Sequence, residues 1–139
     1  MEASKKKYFM KAIKTLAILA ILFTANMMSA QSVTSKWPAL KTYEDVITRI
    51  DNGVQQGNQE SISAFTGTLQ SFSQQLTATP IPAQFNNLQM KEAVIKLQQL
   101  TTKLNNLVEK KATNDTLKPV YLETYAAFKL VVGLMSASK

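Results

Sequence analysis

From Leu40 to the carboxyl end, apolar residues recur at alternating steps of three and four, the spacing that lines up one face of an α-helix. The first run is Leu40, Tyr43, Ile47, Ile50 and Val54, widened by Val46 and opened by Trp37-Pro38, where a proline in the first turn costs no helical hydrogen bond. Gly53, Gly57 and the polar stretch from Gln55 to Gln59 predict its end. The second run is Ile62, Phe65, Leu69, Phe72 and Leu76, with Ser, Thr and Gln filling the remaining positions. Such a composition has only fair helix propensity, so tertiary packing must hold this helix. Asn58 is its candidate N-cap. Gly67 marks either a close helix approach or a tolerated surface glycine.

Thr79-Pro80-Ile81-Pro82 breaks the pattern, because each proline removes a donor and holds the preceding residue extended. A third helix is predicted from about Ala83 to Lys111 on Met90, Ala93, Leu97, Leu100, Leu104 and Leu107, widened by Val94 and Val108. Phe85 and Leu88, at its start, are expected to cap one end of the fold or extend past it. Thr113 to Thr116 form a turn in which Asp115 could accept from the first helical amides. Tyr121, Tyr125, Phe128, Val132 and Met135 then carry a fourth helix, flanked by Leu122, Val131 and Leu134.

No strand pattern competes. Four amphipathic helices joined by short breaks predict an all-α fold, an antiparallel up-down-up-down four-helix bundle over residues 37–139. A partly opened bundle or a domain-swapped dimer is the alternative.

The amino end reads differently. Lys5, Lys6, Lys7, Lys11 and Lys14 precede the apolar run Leu16 to Ala25, and Asn26 to Ala30 is more polar. This is the pattern of a signal peptide over residues 1–30, with cleavage expected after Ala30, and the run is too short for a spanning helix. Residues 31–36 are then a flexible arm. Removing the leader changes the meaning of the charge. The whole chain carries +7, but residues 1–30 hold five lysines against one acid, which leaves 11 basic and 8 acidic residues. What remains is scattered along polar helix faces, so no nucleic-acid footprint is expected. Localisation is expected to be periplasmic or secreted, without stable membrane insertion after processing.

The 139 residues contain neither Cys nor His. Disulfides, thiolate nucleophiles, imidazole bases and imidazole-ligated metals are therefore excluded for the isolated chain. Met90 and Met135 lie in helical seams and read as core fillers rather than ligands. Glu44 and Asp45 are neighbours on one helix and splay apart, and the other acids occupy polar positions or caps, so no carboxylate dyad is expected. The expectation is no enzyme, no catalytic residue, no metal and no cofactor.

Aromatic residues are the remaining feature. Trp37 and Phe85, with Leu40 and Leu88, fall at one end of an up-down bundle and could form an apolar cap, a structural plug or an exposed contact. Tyr43, Tyr121 and Tyr125 pair apolar rings with hydroxyls that need partners. The candidate ligand or partner contacts are thus Trp37, Tyr43, Phe85, Leu88, Tyr121 and Tyr125.

Tyr43-Glu44-Asp45-Val46-Ile47 through Gly53 and Asn58, then Ser63-Ala64-Phe65 into Leu69, resemble a family of small periplasmic helical domains of Bacteroidetes-type bacteria. Asn114-Asp115-Thr116-Leu117-Lys118 with Tyr121 to Leu134 is similar to that family's closing helix. These domains stand alone or are attached to heavy-metal and copper efflux adaptors, and are distantly like the cytochrome b562 bundle. The resemblance implies periplasmic residence and a role in an envelope or metal-stress system. This chain lacks the His and Met ligands of such relatives, so an inherited role would be ligand-free. The expected function is a secreted, non-enzymatic helical bundle that acts as an interaction or accessory module with an envelope protein partner, as monomer or homodimer. The alternative is a small-molecule-binding bundle with an aromatic-lined pocket.

Overall fold

The four periodic runs become four helices: α1 (Pro38–Gln55), α2 (Glu60–Ala78), α3 (Leu88–Glu109) and α4 (Asn114–Ala137), with a short 3-10 turn at Ala83–Phe85 before α3. The computed structural model describes residues 33–138, and no strand occurs among them. The leader assigned to residues 1–30 lies outside the described residues, as do Gln31 and Ser32 of the arm. Consecutive helices pack on one another, α1 on α2, α2 on α3 and α3 on α4, which makes an all-helical bundle.

Pro38 occupies the first position of α1, as its missing donor allows. Two helices then end in the same way. After α1, Gly57 adopts φ +84° with its N–H on Val54 O (3.0 Å), and Asn58 N–H reaches Gly53 O (2.8 Å). After α3, Lys111 takes φ 58°, its N–H bonds Val108 O (3.0 Å), and Ala112 N–H bonds Leu107 O (3.0 Å). Both are Schellman closures, which satisfy the last carbonyls through one residue in the left-handed region. Glycine supplies that conformation freely in the first turn; lysine adopts it under strain in the second.

The third helix begins later than its sequence predicts. Asn87 is extended, and its side chain accepts from Met90 N–H (2.8 Å), which caps α3 at Leu88 and leaves Ala83–Phe85 as a separate turn. At α2 the predicted Asn58 cap is absent. Gln59 flanks that helix without a side-chain cap bond, and Asn58 contributes its carbonyl to Ser61 instead.

Leu40, Tyr43, Ile47 and Ile50 form the buried face of α1, as the spacing predicts. In α2 the buried face is rotated: Ile62, Thr66, Leu69, Ser73 and Leu76 point inward, while Phe65 and Phe72 are only half-buried. Hydroxyls can occupy this core because each bonds its own helix, Thr66 to the Ile62 carbonyl and Ser73 to the Gln70 carbonyl (2.8 Å). Phe65 meanwhile lies under the Arg49 guanidinium, 5.7 Å from the ring centre. The glycine at a close approach is Gly53, where a Cβ would come within 2.7 Å of Ser61 Cβ; Gly67 faces open space.

Candidate functional site

Three of the six candidate residues converge. Tyr121 and Tyr125 follow each other on α4 with ring centres 6.1 Å apart, and Phe128, one turn on, lies 6.3 Å from Tyr125 and 5.8 Å from Tyr43 of α1. Helical spacing places the α4 rings on one face, and the α1 seam brings Tyr43 against it. The hydroxyls find separate partners: Tyr43 Oη lies 2.9 Å from Thr101 Oγ1 on α3, and Tyr121 Oη donates to Asp51 Oδ1 at 2.8 Å. Burial raises the pKa of both phenols above the ordinary tyrosine range, and the Asp51 carboxylate raises that of Tyr121 further. Burial, followed by the charges of Asp51 and Glu44, pushes Tyr125 in the same direction. Tyr43 and Tyr121 thus pack as hydrogen-bonded aromatic residues of the core, and the half-buried Tyr125 lies beside Tyr121 and Phe128.

The other three candidates are divided. Trp37 and Phe85 are buried, whereas Leu88 is 71% exposed. The expected apolar cap therefore lacks Leu88, because Asn87 starts the helix there and leaves Leu88 in its outward first turn. Trp37 is a plug with one loose end: its indole N–H is the single buried side-chain polar atom without a partner among the described residues.

A polar cluster that sequence reasoning missed lies at the base of α1. Glu44 is buried, accepts from Thr34 Oγ1 (3.0 Å) and pairs with Lys41 Nζ (3.2 Å), which also reaches Asp45 (2.8 Å). The Asp45 bond, aided by Glu44 and opposed by partial burial, raises the Lys41 pKa. Thr34 is wholly buried and belongs to the stretch assigned to a flexible arm. Within the described residues, Val33 to Lys36 instead turn onto α1, with the Trp37 N–H bonded to Thr34 O (3.0 Å). A threonine and a glutamate ten positions apart give no periodic signal that could have revealed this tie.

The outer surface is asymmetric. Among the described residues, the large apolar side chains that stand exposed are Leu88 and Ile95 on α3 and Leu122 and Leu130 on α4, the last three 50%, 51% and 55% accessible. Between these helices runs a groove of about 360 Å3, lined by Leu100, Ala126, Ala127 and Leu130, with Lys96 and Glu123 at its edges. A second cleft separates α2 from α3. Neither is lined by the aromatic candidates. α4 is long and apolar enough to cross a membrane by length and composition alone, with a mean hydropathy of 1.2, although nearly half of that stretch is buried within the bundle. Its outward apolar residues add to a buried face running from Leu117 to Met135.

No group of three or more potential metal-ligating Asp and Glu side chains occurs among the described residues. In comparisons with known proteins, no family model matches the chain, and neither a curated protein nor a solved structure is significantly similar to it.

Proposed function

We propose that this protein is a secreted, periplasmic, non-enzymatic helical bundle that works as an interaction module for an envelope protein partner. The carrying observation is the outward face of α4, where Leu122 and Leu130 stand about half exposed beside an apolar groove that α3 completes. Clustered exposed apolar side chains rimmed by charge are the surface signature of a protein contact. The tyrosines favour this reading over the aromatic-pocket alternative, since they fill space against one another and against Phe128.

The reading carries with it an antiparallel up-down arrangement. Tyr43 meets Phe128 and, further along α1, Asp51 meets the earlier Tyr121, so the paired positions run in opposite directions on the two helices. Gln70 with Thr102 and Leu76 with Val94 support the same order between α2 and α3. It also retains kinship with ligand-free periplasmic bundles of Bacteroidetes-type bacteria, which the lack of Cys and His accommodates.

Site-specific photo-crosslinking from position 130 in the native envelope tests the proposal. A defined crosslinked protein, lost in Leu122→Glu, is the expected result. A stoichiometric small molecule retained in native mass spectrometry, with no crosslink, would replace this function by ligand binding.

A further inference from the structure

Where α2 ends and α3 begins, the helices leave a cleft of about 260 Å3 on the side of α3 away from α4. Leu76, Ile81, Val94 and Ile95 give it apolar walls, and Thr77, Thr79 and Lys91 complete its lining. The linker sets this shape. Thr79 is extended after the last turn of α2, and Ile81, between two prolines, stays half-buried against the opening.

The polar lining is one-sided in its chemistry. The Thr77 hydroxyl donates to the Gln74 carbonyl (3.0 Å) and the Thr79 hydroxyl to the Gln75 carbonyl (2.7 Å), so both hydroxyl hydrogens are already engaged. Lys91 differs. The ion pairs among the described residues both belong to Lys41, and Lys91 has no carboxylate partner. Lys91 thus brings one cationic side chain to an apolar cleft whose lining contributes no compensating acid.

We propose that this cleft binds a short amphiphilic carboxylate, its apolar tail against Leu76, Ile81, Val94 and Ile95 and its carboxylate on Lys91. A neutral hydrocarbon would leave the ammonium unpaired at the edge of its own apolar contact. A phosphate would need several convergent donors, where the cleft supplies one charged side chain. The volume lies just below the roughly 300–1,000 Å3 of sites for drug-sized ligands, which selects a short chain. This site shares no residue with the α3–α4 groove, so it stands or falls separately from the partner-binding proposal.

Titration of the protein with octanoate and with 1-octanol, followed by two-dimensional NMR, tests the assignment. Octanoate is expected to saturate at one equivalent and to shift the resonances of Ile81, Val94 and Ile95. Lys91→Gln should weaken octanoate by roughly three- to tenfold, the scale of one partly exposed charge-assisted bond, and leave octanol unchanged. Lys96→Gln, at the other groove, should bind octanoate as the unsubstituted protein does. Octanoate shifts that never saturate, equal affinity for octanoate and octanol, or an unchanged affinity in Lys91→Gln would each overturn it.

Discussion

Tyr43 and Thr101 share a buried hydrogen bond of 2.9 Å that ties α1 to α3 across the core. Thr101 also donates to the Leu97 carbonyl at 2.7 Å, which makes Tyr43 the donor of the shared bond. Removing either side is therefore unequal. Tyr43→Phe leaves Thr101 satisfied by its own helix and should cost about 0.5–1.5 kcal/mol, whereas Thr101→Val strands a buried phenol and should cost about 1–3 kcal/mol. The double variant should cost less than the sum of the two. Urea denaturation of the three variants provides the comparison, and a costlier Tyr43→Phe would refute the donor assignment.

Lys111 offers a gain. It holds φ 58° in the same closure that Gly57 makes at φ +84°. Lys111→Gly should raise stability by roughly 1 kcal/mol, and Gly57→Ala should lower it by a similar amount. Thermal denaturation reads both signs. A destabilised Lys111→Gly would mean that the lysine side chain contributes more than its backbone strain costs.

Leu97 and Leu88 lie on the same helix with opposite fates. Leu97 is wholly buried, so Leu97→Ala should cost about 2–5 kcal/mol through lost transfer energy and a residual cavity. Leu88→Ala, at a position 71% exposed, should fall within about 0.5 kcal/mol. Equal losses in denaturant midpoints would contradict a helix start at Asn87.

These positions show what periodicity can and cannot convey. Alternating steps of three and four revealed all four helices, since burial of one face is the force that makes each of them. They misplaced the inward face of α2, because Phe65 and Phe72 outrank Thr66 and Ser73 in hydrophobicity while the hydroxyls satisfy themselves within the helix. Leu88, expected to cap one end of the fold or extend past it, stands exposed for a local reason: a single extended asparagine places the helix start just before it. The tyrosines of α4 are legible as one face, but the hydroxyl partners, Asp51 for Tyr121 and Thr101 for Tyr43 of α1, come from other helices and carry no mark in the chain. The grooves beside α3 are likewise products of packing.

Alkaline pH should weaken the fold through Tyr121. Its folded-state pKa lies above the unfolded value, so its contribution is fully present below about pH 10 and is lost as pH rises from there toward the folded value. Melting temperatures measured from about pH 8 to pH 11 should fall, and Tyr121→Phe should show a shallower slope. Identical slopes would remove Tyr121 from the cause. Tyr43 adds a loss of the same sign that persists in that variant.

The bond from Thr34 to Glu44 reaches back past the first helix and enrols the residues before Trp37 in the folded unit. Val33 and Thr34 are themselves helical and turn through Ser35 and Lys36 into Trp37, ahead of α1. One cut beyond Thr34 would leave the buried Glu44 carboxylate with Lys41 alone, and would loosen the turn on which Trp37 is seated. A hydroxyl and a carboxylate thereby carry side-chain order upstream of where hydrophobic periodicity begins.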